Sequence, residues 1–281
     1  MSPPVQPVAW VTGAGGLIGS HLVQAAVPFA PGWRVTGLGR RDVDLTDCQT
    51  VSRMFREQRP RLIIHCAAMS RSPDCQRDPQ RARQQNVEVT RMLTDLAAEA
   101  AFVFLSSDLV FDGRRGHYGE SDRVNPLSVY AATKAEAETI VLANSHHLVI
   151  RTSLNAGPSP TGDRGLDEQL LAAWRTGATL NLFKDEFRCP IPAAMTARAI
   201  WELVQSGATG LFHVAGSERL SRWEIGNLLV RLHPDFKHLI QPGSLKDYAG
   251  AARSPDTSLN CAKAQAKLGF PLPKFSETIP R

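Results

Sequence analysis

A strand that breaks on glycine and resumes as a helix constrains this chain more than any other feature. Val8-Ala9-Trp10-Val11-Thr12 is a short apolar run suited to a buried strand. Gly13 follows at once, and Leu17, Ile18, Leu22 and Val23 then recur at helical spacing. Gly13 permits a tight turn, Gly16 lets the backbone approach a pyrophosphate, and Gly19 lets helix and strand pack closely. The amides of Leu17 and Ile18, opening the helix, would face the phosphates. The expectation is a dinucleotide-binding crossover.

The next elements extend it. A helix from His21 to about Ala30 ends at Pro31-Gly32, and Trp33–Gly39 is a second strand. Arg40-Arg41 follows directly, where the adenosine ribose lies in such a fold. An acid there would accept ribose hydroxyls, whereas arginines pair with a 2′-phosphate. Arg40 is the better placed of the two, and Asp42 and Asp44 come only after it. NADP(H) is therefore expected over NAD(H). Asp44-Leu45-Thr46-Asp47 opens a helical unit that Thr46 or Asp47 can cap, with Val51, Met54 and Phe55 inward.

Leu62–Ala68 is a third strand and its exit, where small Ala67-Ala68 would let a cofactor lie across the strand end. His65 reads as a packed strand residue and Cys66 as core filling. Ser70–Pro79 reads as a polar loop, Asn86–Glu99 as a long helix and Ala101–Ser107 as a fourth strand. A helix runs on from Leu127, and His147–Arg151 is a fifth strand. Strands alternating with helices predict an α/β fold: a Rossmann-like parallel sheet with helices on both faces.

After Arg151 the pattern loosens. Glycine, proline and serine fill Asn155–Gly165, and helices are expected over Leu166–Arg175, Ala197–Gln205 and Ala262–Leu268. Ser221 and Glu224 have capping-box spacing. Residues 1–154 are expected to form mainly the dinucleotide-binding core. Residues 155–281 should form mainly a small C-terminal substrate lobe, with some segments returning to the core.

Tyr130 and Lys134 are four apart on one helix face. A free phenol has a pKa of about 10, and a nearby ammonium favours its ionised form. Such a phenol can exchange a proton with a carbonyl or alcohol oxygen. Lys134 can also hold a nicotinamide ribose. Ser107, at a strand end, can hydrogen-bond the same substrate oxygen.

Composition narrows the surroundings. Five cysteines without paired-ligand spacing suit a reducing compartment, and no zinc or other metal is expected. The net charge of +5 is dispersed, so no nucleic-acid surface is expected. No apolar run suits a membrane span, and Met1-Ser2-Pro3-Pro4 lacks the basic start of a secretion signal. A cytoplasmic location is expected.

With these residues in place, the chain resembles the extended short-chain dehydrogenase/reductases, and within them the dTDP-4-dehydrorhamnose reductase-like branch. Thr12–Gly19 is similar to the family's cofactor loop, Asp44–Asp47 to its acidic segment and Cys66-Ala67-Ala68 to its third strand end. Asn86 matches the asparagine before the next helix, and Ser106–Gly113 the branch-specific segment. The resemblance implies Ser107, Tyr130 and Lys134 as the catalytic trio. It implies cofactor contacts from Gly13, Gly16, Leu17, Ile18, Gly19, Arg40, Asp44, Leu45, Cys66, Ala67, Ala68, Asn86, Tyr130 and Lys134. It implies reduction of a sugar-ring ketone on a nucleotide sugar. Related enzymes epimerise or dehydrate instead, and one branch member is a regulatory subunit of methionine adenosyltransferase.

Leu109 stands where the rhamnose enzymes commonly have Tyr, and Met195 where Asp is usual. Ser70, Ser107, Asp108, Arg151, Asn155 and Arg188 are the expected substrate contacts, with Arg188 meeting a diphosphate or another anion. The expected partners are a small-molecule ketone or alcohol and a second copy of the chain as a homodimer.

Overall fold

Strand parity divides the interior into two layers. Ala9 and Val11 join Leu62, Ile64, Val103, Ile150 and Phe212 in one apolar cluster. Their neighbours Val8 and Trp10 join Ile63, Phe102, Phe104 and Val149 in another. Successive strand side chains point to opposite faces, so these runs need cover on both sides. The computed structural model describes residues 6–250 and 252–279, and Met1-Ser2-Pro3-Pro4 lies outside them.

The first half alternates as expected. It runs β1 (Val8–Thr12), α1 (Leu17–Phe29), β2 (Arg34–Leu38), α2 (Cys48–Gln58) and β3 (Leu62–His65). It continues through α3 (Ser72–Arg77), α4 (Pro79–Arg83), α5 (Val89–Leu96), β4 (Ala101–Ser107), α6 (Val129–Leu142) and β5 (Leu148–Thr152). The second half comprises β6 (Asn155–Ala156), α7 (Leu166–Arg175), β7 (Leu180–Phe183), β8 (Phe187–Arg188), β9 (Ile191–Pro192) and α8 (Ala193–Gln205). It ends with β10 (Gly210–Val214), β11 (Leu220–Ser221), α9 (Arg222–Val230), β12 (Ile240–Gly243) and α10 (Ala262–Gln265).

Six strands form one parallel sheet in the order β10-β5-β4-β3-β1-β2. The chain moves one way from β1 to β2 and the other way to β3. That reversal opens a crevice at the carboxyl ends of β1 and β3, where α/β sheets bind their ligands. β10 belongs to the second half of the chain yet pairs with β5. α8, which leads into β10, packs on α1, and Trp201 donates to the Leu22 carbonyl of α1 at 2.9 Å. A separate apolar cluster around Trp174, Leu182, Ile225 and Phe275 holds the remaining lobe together.

One expectation is corrected. Most of Ser70–Pro79 is helical, not a polar loop. Pro73 and Pro79 sit in the first turns of α3 and α4, where a missing N–H costs nothing, and Asp78 accepts from the Arg81 amide at 3.0 Å. The following helix therefore starts at Pro79 rather than Asn86 and passes through a π-helical turn, Gln84–Glu88, before α5. Elsewhere Asp47 caps α2 and Ser221 and Glu224 form a reciprocal capping box on α9, as their spacing predicts. Among the described residues, no helix is long and apolar enough to cross a membrane.

Candidate active site

The crevice is built from close backbone approach. Gly13 has φ +70°, and a Cβ on it would lie 2.7 Å from the Ala67 amide nitrogen. A Cβ on Gly19 would lie 2.3 Å from the Gly13 carbonyl oxygen. Only glycine admits both contacts, so β1, α1 and the β3 exit meet at one point. Gly16 is the N-cap of α1 and donates to the Gly13 carbonyl at 2.8 Å. No side chain caps that helix, leaving the amides of its first turn, Leu17 and Ile18 among them, for an anion.

Thr12 stitches the floor. Its hydroxyl lies 2.7 Å from His65 Nδ1 and accepts from the Ala67 amide at 3.3 Å. Burial pushes His65 down to about 3, so it stays neutral and structural. Burial pushes the Cys66 thiol up to about 12, against the pull of Lys134, which keeps it protonated. Arg40 and Arg41 are exposed beyond β2 and form no ion pair among the described residues. The Asp42 carboxylate folds back onto the Gly39 amide at 2.7 Å. Asp44 turns onto the Thr46 amide and hydroxyl at 2.9 and 2.8 Å, and Leu45 packs on the apolar layer beneath.

Ser107, Tyr130 and Lys134 come together at the end of β4 and along α6. Ser128 caps that helix through the Ala131 amide at 3.2 Å, placing Tyr130 in its first turn. The Ser107 hydroxyl donates to Asp108 Oδ1 at 3.1 Å and accepts from the Leu109 amide at 3.2 Å. Burial first and the Asp108 charge next push the Tyr130 phenol up to about 12, with Ser107 beside it pulling the other way. The phenol therefore holds its proton at neutral pH. Lys134 is buried, and its Nζ lies 3.8 Å over the Phe104 ring. Desolvation pulls it down to about 7, opposed by Cys66 and Glu138.

Asn86 braces the site instead of opening to it. Its amide accepts from the Met69 N–H at 2.8 Å and donates to the Met69 carbonyl and Thr133 hydroxyl at 3.1 and 3.0 Å. It ties the β3 exit to α6, and the π turn puts it there.

Five of the expected substrate contacts are engaged inside the protein, Ser107 among them through Asp108. Asp108 is fully buried and accepts from Arg188 Nε and Nη2 at 2.6 and 2.5 Å and from Ser153 at 2.6 Å. Arg188 is correspondingly committed to that pair. Arg151 is held by Glu138, and Asn155 by Thr152, Ser153 and Thr196. A buried polar group needs such partners, and a strand end offers them from its neighbours. Ser70 remains exposed beside the β3 exit, and Ser107 sits at the phenol.

Sequence reasoning missed an arginine cluster next to that buried pair. Glu186 accepts from Arg253 Nε and Nη2 at 2.7 and 2.9 Å and lies 3.9 Å from Arg222. Arg222 Nη1 is buried without a hydrogen-bond partner among the described residues. Burial brings Arg222 down to about 10 even with Glu186 beside it. Arg253 also lies over the Phe183 and Tyr248 rings. Arg222 directly follows the capping Ser221, so its local spacing signals only a helix start.

The family described as RmlD substrate binding domain matches residues 9–281. A dTDP-4-dehydrorhamnose reductase from Sinorhizobium fredii is 30% identical, covering 96% of this chain and 95% of that protein. A methionine adenosyltransferase 2 subunit beta from Bos taurus is 27% identical, covering 91% of this chain and 80% of that protein. Among solved structures, the dTDP-4-dehydrorhamnose reductase of Bacillus anthracis in complex with NADP has a TM-score of 0.88 and covers 98% of both chains. At 21% identity that is a likeness of fold.

Proposed function

The chain belongs to the RmlD substrate binding domain family, and from that premise we propose that it is an NADP(H)-dependent ketoreductase of a nucleotide-linked sugar or related biosynthetic ketone. At the coarser level it is an NAD(P)-dependent short-chain dehydrogenase/reductase-type enzyme of nucleotide-sugar metabolism. The observation that carries the finer reading is the convergence of Ser107, a protonated Tyr130 and Lys134 beside the glycine crevice.

A dinucleotide fits the crevice, because the space a Cβ on Gly15 would take is open and the first turn of α1 lacks a side-chain cap. Gly16, Leu17 and Ile18 would hold the pyrophosphate. Arg40 would meet a 2′-phosphate, next to Asp44 and Leu45. Cys66, Ala67, Ala68, Tyr130 and Lys134 would line the nicotinamide half, steadied by Asn86. Bound there, the cofactor supplies hydride to the carbonyl carbon. Ser107 donates a hydrogen bond to the carbonyl oxygen and orients it. Tyr130 delivers its proton to the same oxygen, for which a phenol protonated at neutral pH is the right form. Lys134, when charged, favours the phenolate left behind.

The anionic part of the substrate falls to Arg222, since Arg188 is already paired with Asp108 and Arg253 with Glu186. A buried guanidinium donor without a partner costs stability until an anion takes it.

The reading is tested with purified protein, NADPH and a panel of nucleotide-linked keto sugars and unrelated cyclic ketones. One NADPH oxidised per ketone reduced is expected on the best substrate. Product formation without net NADPH loss would replace reduction by epimerisation or dehydration. Fluorescence titration should give tighter binding of NADPH than NADH, and Arg40→Ala should weaken NADPH about 10-fold while sparing NADH. Equal NADPH binding in wild type and Arg40→Ala would remove the phosphate contact. A regulatory-subunit reading rests on the methionine adenosyltransferase relative; rapid turnover by the lone chain would end it.

A further inference from the structure

Ser106, Arg151 and His213 stand at one register across three neighbouring strands. Ser106 of β4 is opposite Arg151 of β5, and Arg151 is opposite His213 of β10. They share parity with Phe104, Val149 and Leu211, so they face the layer that α6 covers. Glu138 of α6 reaches onto this row. Its carboxylate accepts from Ser106 Oγ at 2.5 Å and from Arg151 Nε and Nη2 at 2.9 and 2.6 Å. Arg151 Nη1 lies 3.4 Å from His213 Nε2. All four residues are buried.

Along α6, Glu138 comes four residues after Lys134 and eight after Tyr130, so the three share one helix face. A buried ion pair is seldom the most stable filling for its volume, because both charges lose their water. This pair nevertheless occupies the layer directly behind the two residues assigned to chemistry.

We propose that Glu138, clamped by Ser106 and Arg151, is a positioning residue that holds α6 over β4 and β5 and sets the charge carried by Lys134. The groups facing Lys134 are the Phe104 ring from β4, His65 and Cys66 at the end of β3, and Glu138 and the protonated Tyr130 from its own helix. His65 is neutral and Cys66 is a protonated thiol near neutral pH. Glu138 is thus the formal anion in this set, and Arg151 bonds it from the far side. Helix placement and lysine charge depend on the same carboxylate. The proposal rests on the reading of Lys134 as part of the active site.

Competitive labelling with acetic anhydride across pH 5 to 11, on the full ligand-free chain, reads the ionisation of Lys134. No other lysine precedes Lys184, so its peptide is identified by mass alone. Glu138→Gln removes the anion and leaves Arg151 uncompensated, so the Lys134 midpoint should fall by about one pH unit. Glu138→Asp keeps the charge and should return the midpoint most of the way. Loosened packing alone would move the midpoint the other way, toward ordinary lysine, so an unchanged or raised midpoint in a folded Glu138→Gln protein overturns the proposal.

Should Glu138→Gln fail to fold, Glu138→Leu with Arg151→Met fills the buried volume with apolar groups. Native-like thermal stability with NADPH binding weakened about 5-fold or more is then expected. Wild-type NADPH affinity in that double variant overturns the proposal. Protection of wild-type Lys134 from the label by NADPH checks the cofactor reading separately. If the Glu138 shifts appear without such protection, the positioning role stands and the cofactor contact falls.

Discussion

Lys134 carries a folding cost that its proposed role explains. Its amine is buried against an aromatic ring and drawn down to about 7, chiefly by desolvation. Below about pH 7 the folded and unfolded chains both hold the proton, and the burial penalty is present in full. Between about 7 and 10.4 the unfolded chain binds a proton that the folded chain has lost, so stability rises with pH. Lys134→Met should therefore stabilise the fold by a few kcal/mol at pH 6, and the gain should shrink toward pH 10. Thermal unfolding across that range checks it; a gain independent of pH would assign the effect to packing. Tyr130 carries no such cost near neutral pH, because its raised phenol and that of the unfolded chain both hold the proton there, and the cost appears only above about pH 10.

At the scale of elements, the turn from β1 into α1 admits little change. Gly13→Ala combines a left-handed backbone angle with a Cβ pressed against the Ala67 amide. NADPH affinity should fall about 10-fold or more while circular dichroism stays native-like, because the strain sits at the cradle and not in the core. Wild-type affinity in a folded Gly13→Ala protein would show that the crevice does not hold the cofactor. This element was legible in the sequence because its signal is local: apolar run, glycine, helical period. The capping residues Asp47 and Ser221 were legible for the same reason. The short helices around Pro73 and Pro79 were not, since proline breaks a helix interior but opens a first turn equally well. The internal pairing of Arg151, Asn155 and Arg188 was not legible, because a polar residue at a strand end looks alike whether it faces a ligand or a buried partner. Their partners Glu138, Thr196 and Asp108 lie 13, 41 and 80 residues away, which local spacing cannot reveal.

Across the whole molecule, the two halves of the chain meet at the proposed site by polar contacts. The Asp108–Arg188 pair joins the end of β4 to β8, and Arg71 reaches Asp163 at 2.8 Å beyond the β3 exit. His21 of α1 lies 3.1 Å from the Pro158 carbonyl. The lobe thus borders the crevice from several sides and brings Arg222 beside the Asp108–Arg188 pair, although it follows Tyr130 by a large stretch of chain. In the proposed reaction Tyr130 donates the proton that completes ketone reduction. That donation is tested most directly by single-turnover NADPH oxidation on the best substrate of the panel, comparing wild type with Tyr130→Phe, which removes the hydroxyl and keeps the ring. The expected rate for Tyr130→Phe is lower by about 10²-fold or more, the scale of general acid catalysis, with NADPH affinity nearly unchanged. A folded Tyr130→Phe protein that oxidises NADPH at the wild-type rate would contradict it.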